Sequence, residues 1–335
     1  MALWTDVIEP SALTAIARKT LEDYEAKKSL SAWIPNDTVN DIVARVTEDS
    51  NGLVDVANFR AYDASPDPTS FTGGRRRTVE LPPLGAWLPV SEYDQLRIRN
   101  ASDEEIRNHI VKTTQRLTRA VVDRMELMRG VVLTTGKATI DQPNFKTEDD
   151  FGRDADMSVT ATTLWSDPDA DPLEDLGNWV EKYVQKNGEE PGALVMSRSL
   201  QRQMFGTKPF LLGGNGASRR VTADEGRGIL GANEVPELYT YDRTVRVKGN
   251  STRVLPSDRI FLLPSQGLSD LGKTYWGRPL TASEPGWGLV GEQQAGIVAG
   301  VYKNEKPPAI AEVHADAIGL PILANANLAF TAKVL

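Results

Sequence analysis

Between Ser102 and Gly136 the sequence carries one helical pattern of unusual length, and it sets the scale of anything this chain can fold into. Ser102 is a good N-cap, and Glu105 three residues on completes a capping box. Ile106, Ile110, Leu117, Val121, Met125, Met128 and Val132 then recur at steps of three, four or seven, while Arg107, Lys112, Arg116, Arg119, Asp123 and Arg124 fill the remaining faces. No glycine or proline interrupts before Gly130, and the pattern stops before Gly136. The spacing predicts one helix of ~30 residues, about 45 Å long, more than twice the usual length. His109 borders the apolar stripe and is read as a packing residue.

Shorter elements flank it. Leu13, Ile16, Ala17, Leu21 and Tyr24 predict an amphipathic helix over about Ser11 to Lys28, and Trp33-Ile34-Pro35 then interrupts, so the first fifty residues read as an arm with one helix. From Gly52 to about Arg99, Val54, Val56 and Phe59 suggest a strand. The stretch from Ala64 to Arg77 follows, with two prolines, two glycines and three arginines; Thr78-Val79-Glu80-Leu81 resumes the alternation and Pro82-Pro83 ends it. This reads as a long two-stranded excursion. An isolated ribbon of two strands is marginal in water, so such a loop needs a partner surface; a disordered insertion is the alternative.

Beyond the long helix, Lys137–Ile140 and Ser158–Thr163 read as strands joined by an acidic connection from Glu148 to Asp156. Another helix starts at Asp171, with Pro172 in first and Glu174 in third position, and ends at Gly188; Leu173, Leu176, Val180, Tyr183 and Val184 form its buried face. Ala193–Met196 is a short buried strand, and Thr222 with Glu225 caps a short helix closed near Gly231. The rest reads as strands: Leu238–Tyr241, Arg259–Leu263, Ala295–Tyr302, Ile310–His314, Gly319–Leu323 and Leu328–Leu335, with His314 a structural residue. Termini usually fray, so a patterned last residue predicts a strand paired into a sheet.

Composition narrows the chemistry. The chain has 335 residues, enough for two compact lobes. It has no cysteine, which excludes disulfides, zinc-thiolate sites and thiol nucleophiles, and its two histidines, His109 and His314, leave little for a His-based triad or metal site. A net charge of −8 argues against a general nucleic-acid binder, though it suits a surface lying near DNA without gripping it. The amino terminus has no secretory pattern, and no apolar run is long enough to span a bilayer. Gly267-Leu-Ser-Asp-Leu-Gly272-Lys273-Thr274 matches the phosphate-binding loop pattern, but that mechanism needs a helix to begin at the lysine. Tyr275-Trp276-Gly277-Arg278-Pro279 follows instead, so a strand-ending turn is the better reading. Asp167, Asp169 and Asp171 alternate like the start of a calcium loop, but Pro172 stands where glycine is required and Asn178 where a bidentate glutamate is. Arg75, Arg76 and Arg77 could hold phosphate; a protein–protein contact fits an acidic chain better. Nothing in these motifs asks for an active site, a cofactor or a metal.

The order of pieces is arm, long loop, very long helix, α/β lobe and carboxy-terminal strands. It resembles the Hong Kong 97-type capsid fold, an α+β architecture. Arg124-Met-Glu126 with Leu133-Thr-Thr-Gly136, and the closing Leu320-Pro-Ile-Leu-Ala-Asn-Ala-Asn327, resemble the lambda-like major capsid protein E family of tailed bacteriophages, supported by Ile297–Tyr302 and Gly272–Tyr275. The likeness covers roughly residues 10–335. It implies an N-terminal arm over 1–52 and an extended β-hairpin loop over 53–100 that lies on a neighbouring subunit. A peripheral domain over 101–165 and 290–335 would surround the spine helix, and an axial domain would span 166–289. It implies hexamers and pentamers of an icosahedral shell around double-stranded DNA, contacted without specific binding, with assembly in the bacterial cytoplasm. Scaffolding and portal proteins would be partners, with a decoration protein a further candidate; no membrane, catalysis or cofactor is implied. Inter-subunit contacts are expected at Trp4, Trp33, Phe71, Arg75, Arg76 and Arg77. The rival readings are an encapsulin-like nanocompartment, a nucleotide-dependent enzyme built on Gly267–Thr274, and a tail or baseplate protein.

Overall fold

A computed structural model of the chain describes residues 2–3, 5, 8–48, 75–97, 103–143, 145–214, 217–267, 270–289, 294–304, 306 and 310–335. The described helices are α1 (Pro10–Glu25), α2 (Glu92–Arg97), α3 (Asp103–Thr135), α4 (Pro172–Asn187), α5 (Arg198–Met204) and α6 (Ala223–Ala232). The long pattern is thus a single helix of 33 residues. Ser102, its expected cap, lies outside the described residues. The chain divides into two units: the first comprises residues 1–45, 78–130 and 273–322, the second 46–77, 131–272 and 323–335.

In the first unit a mixed sheet runs in the order Ala2–Leu3, Val298–Lys303, Ala311–Leu323, Gly272–Gly277, Asn36–Thr38, and Pro83–Val90 also pairs with Ala311–Leu323. The central strand is 13 residues long and fuses two stretches that the sequence pattern separates, Ile310–His314 and Gly319–Leu323. Its register explains the fusion. Ala311, Val313, Ala315 and Ala317 alternate onto one face and are buried with Leu13 and Ala17 of α1 and Ile110, Leu117, Val121 and Met125 of α3. Small alanines there let helices lie close to the sheet. Gly319 is needed for a similar reason: a Cβ on it would stand 2.8 Å from the Tyr275 carbonyl oxygen. Thr14 stitches α1 to the sheet, accepting from the Ala299 amide at 3.1 Å.

Pro83–Val90 departs from the sequence reading, which ended a strand at Pro82-Pro83. Residues 83–90 run antiparallel to 311–318. Among the described residues their partner in this sheet is on that side alone, and an edge strand tolerates proline at its first residue and wherever no ladder donor is required. The strand resumed at Thr78 belongs to Arg75–Glu80, which pairs with Val43–Glu48. The strand read at Val54, Val56 and Phe59 lies outside the described residues.

The second unit is built on a five-stranded sheet in the order Glu237–Thr240, Ala193–Met196, Arg259–Leu263, Phe330–Lys333, Ser158–Thr160. The last strand of the chain is interior to it, antiparallel to 259–262 and parallel to 158–160, as the patterned terminus predicted. α4 begins as expected, with the Asp171 carboxylate accepting from the Leu173 and Glu174 amides, and it closes at Gly188 in the left-handed conformation. Thr222 and Glu225 form the expected reciprocal box at the start of α6. Residues 137–142 and 145–150 make an antiparallel hairpin, so the acidic connection begins inside a strand.

Two motifs lose their alternative chemistry here. Lys273 sits in the strand Gly272–Gly277, parallel to Asn36–Thr38 and bonded to Asp37 Oδ2 at 2.8 Å. A strand offers no row of free helix amides to a phosphate. Asp167 accepts from the Asp169 amide, Asp169 pairs with Lys208 and Asp171 caps α4, so each carboxylate already has a protein partner.

Candidate subunit-contact site

The expected contact residues separate into distinct environments. Trp4 and Phe71 lie outside the described residues. Arg75 opens the strand Arg75–Glu80. Along that strand Arg76 is exposed, Arg77 half-buried and Val79 buried. Arg77 is turned to its own unit: its guanidinium donates to the Asp150 carbonyl and lies over the Phe151 ring, 5.8 Å from the centroid. Burial raises the Asp149 carboxyl above the usual range, and the charge of Arg77 partly offsets this. Trp33 requires correction. Only 4% of it is exposed, because its indole is needed in the core beside Ile34, and little of it is left for a neighbour. His109 also requires correction: it is exposed on α3 and not packed.

The surface also holds residues that sequence reasoning passed over. Trp87 is 54% exposed on the edge strand Pro83–Val90, stacked on His314 with ring centroids 6.2 Å apart. His314 Nε2 lies 3.1 Å from Glu312 Oε2, and burial raises the neighbouring Asp316 carboxyl. Tyr93 and Leu280 are exposed as well. The alternating Leu84, Ala86, Leu88 and Val90 were the available signal, hidden by the two flanking prolines.

Each unit also has a buried polar frame. In the first, the guanidinium of Arg129 is fully buried. Its Nε donates to Thr274 Oγ1 at 2.8 Å, Nη1 to Glu25 Oε1 at 2.7 Å and Glu126 Oε2 at 3.0 Å, and Nη2 to Asn36 Oδ1 at 2.6 Å. Glu126, also fully buried, accepts from the Leu30 amide and the Ser29 hydroxyl. One ion cluster thereby ties α3 to the end of α1, the turn at 29–34 and two strands. In the second unit, Arg153 donates to the carbonyls of Val132, Leu133, Thr134 and Ala326. Burial lowers its pKa to about 10, which leaves it cationic at neutral pH. Asn327 joins the same frame, accepting from the Asp154 amide at 2.9 Å and passing its own carbonyl to Asn187.

These frames contain Glu126, Leu133, Thr134, Ala326 and Asn327, which lie within the sequence phrases that resemble the lambda-like capsid family. They hold backbone and position helices. Among the described residues no group of His, Cys, Asp or Glu is arranged to hold a metal ion, and no helix is long and apolar enough to cross a membrane. The family model for phage major capsid protein E matches residues 37–334.

The chain belongs to the phage major capsid protein E family.

Solved structures agree on the fold. A prophage protein of E. coli CFT073 described as a capsid protein aligns with a TM-score of 0.64 and 16% identity, over 95% of this chain and 97% of its own. A phage-related protein of Bordetella bronchiseptica RB50 aligns with a TM-score of 0.59 and 14% identity, over 95% and 96%. An encapsulin of Synechococcus elongatus PCC 7942 aligns at 0.46 with 15% identity, over 90% and 85%, too distant to support the nanocompartment reading. Among curated proteins no sequence matches. The fold is α+β of the Hong Kong 97 type, and this protein E family member is a major capsid protein, a structural component of a phage virion.

Proposed function

We propose that the protein closes an icosahedral shell around packaged double-stranded DNA, as hexamers and pentamers assembled in the bacterial cytoplasm with scaffolding and portal proteins. The observation that carries this is the match of the major capsid protein model across residues 37–334. In this reading residues 1–52 are the arm, 53–100 the extended loop reaching a neighbour, 101–165 with 290–335 the peripheral domain, and 166–289 the axial domain. Shell stability comes from many modest interfaces formed at once, so geometry replaces reactivity and no catalysis is needed. Phe71, Arg75 and Arg76 are assigned to the loop's contact with the next subunit.

Electron microscopy of the purified protein, alone and with phage lysate proteins, is expected to show closed particles; tubes, or a persistent monomer turning over a small molecule, would overturn the reading. Deleting residues 66–74, which spares the strand Arg75–Glu80, is expected to abolish particles while the chain keeps its circular dichroism spectrum. A normal particle yield would remove the loop assignment. The rival nucleotide reading makes an opposite forecast at Lys273. Its ion pair with Asp37 is partly exposed and contributes about 1 kcal/mol or less, so Lys273→Ala is expected to shift the melting temperature only slightly, with ATP changing neither protein.

A further inference from the structure

An acidic chain here presents a cationic stripe. On α3 the residues exposed after Arg107 are Asn108, His109, Lys112, Arg116, Arg119, Ala120 and, at the helix end, Thr135. At 100° per residue Lys112, Arg116 and Arg119 fall within about 60° of one another around the axis and span about 10 Å along it. Among the described residues none of the three forms an ion pair or a side-chain hydrogen bond. Two carboxylates share their face, Glu105 seven residues before Lys112 and Asp123 four after Arg119; Asp123 accepts a hydrogen bond from the Tyr24 hydroxyl. Lys112 with Arg116 and Arg116 with Arg119 stand at the four- and three-residue spacings where like charges weaken a helix. The net charge of −8 makes this local excess more conspicuous, and the fold makes no internal use of it.

From this geometry we infer that the exposed face of α3 at Lys112, Arg116 and Arg119 is a binding surface for the phosphodiester backbone of duplex DNA. Two features select that partner over an acidic protein segment. A protein interface has an apolar or aromatic centre within its polar rim, whereas among the described residues of α3 no large apolar side chain is exposed. The charge density also fits: three cations in about 10 Å meet a strand carrying one phosphate per ~3.4 Å of helix axis. Contacts of this kind position DNA without reading its sequence. That agrees with a protein whose overall charge repels nucleic acid and which touches it along one line. The inference depends on the shell reading only for the source of the DNA.

The test uses the purified full-length chain and a fluorescent random-sequence duplex, followed by anisotropy. Wild type is expected to bind with a log–log salt slope of about −2.7, three phosphates at ~0.9 each, which weakens binding about 40-fold between ~50 and ~200 mM salt. Lys112→Gln/Arg116→Gln/Arg119→Gln is expected to lose this binding while melting at the same or a higher temperature, since the helix is relieved of like-charge repulsion. Arg116→Gln alone should reduce the slope by about one phosphate. Particle yield of the triple variant should be unchanged, so failure here is separable from failure of the shell reading. The inference is overturned if wild type ignores the duplex, if the triple variant binds it equally well, or if poly-L-glutamate competes as strongly as DNA.

Discussion

Arg129→Met is expected to destabilise the chain by about 3–5 kcal/mol, against a total stability of order 5–15 kcal/mol for a typical domain. The reason is what remains after the guanidinium is removed. Glu126 is fully buried, with Glu25 12% exposed beside it, and both would keep carboxylates without a counter-charge. Thr274 and Asn36 would lose the donors that hold them. Arg129→Lys is expected to recover only part of the loss, because one ammonium cannot aim donors at Thr274, Asn36 and two carboxylates on different sides. Arg129→Met/Glu126→Gln should be less destabilised than the sum of its single changes, since the second substitution removes the charge that the first strands. Urea midpoints of wild type, the three single variants Arg129→Met, Arg129→Lys and Glu126→Gln, and the double variant measure this. A loss below about 1 kcal/mol for Arg129→Met, typical of an exposed pair, would mean that the cluster is solvated and does not frame the unit.

The wider cluster could not be read from the sequence, although Arg124-Met-Glu126 marked the region. Glu126 lies one turn before Arg129 on the same helix, but the other partners of Arg129 come from residues 25, 29, 36 and 274, so the cluster exists only once the chain has folded back on itself. What was legible is local. α3 declared itself through an apolar period that no breaker interrupts, and α4 through a cap, a proline and a terminal glycine that act within a few residues. The central strand was read in two pieces because Asp316 and the glycine–proline pair at 319 and 321 break its alternation; pairing on both sides of residues 311–316 overrides that local signal. Pro83–Val90 was missed since proline ends most strands but is tolerated at an edge. The contact site was the least legible part. Aromatic and arginine residues were chosen by type, and type does not distinguish Trp33, needed inside, from Trp87, left outside. Arg77 and Arg76 are neighbours of one type, yet alternation along a strand turns the first toward Asp150 and Phe151 and leaves the second open.

Arg153→Ala is expected to be the second large loss, about 3 kcal/mol. The end of a helix leaves its last carbonyls without partners, and in α3 those of Val132, Leu133 and Thr134 receive the Arg153 guanidinium at 3.3, 2.8 and 3.2 Å. Among the described residues no carboxylate balances this cation, since Ala326 also offers only a carbonyl; the negative end of the helix dipole takes that role. Truncation would therefore leave several acceptors buried and unpaired, at about 1–3 kcal/mol for each that water cannot reach. The damage should concentrate at one place. Hydrogen exchange at residues 131–136 should accelerate more than at 117–125, where apolar packing holds the helix. Gly136 is part of the same device. Its φ of +72° suits glycine, and an added Cβ would stand 2.8 Å from Arg153 Cβ. Gly136→Ala should then cost about 1–2 kcal/mol from the left-handed backbone alone, and more from displacing the arginine. Uniform acceleration of exchange along all of α3 in Arg153→Ala would sink this account, because it would mean that the arginine supports the whole fold and not the end of one helix.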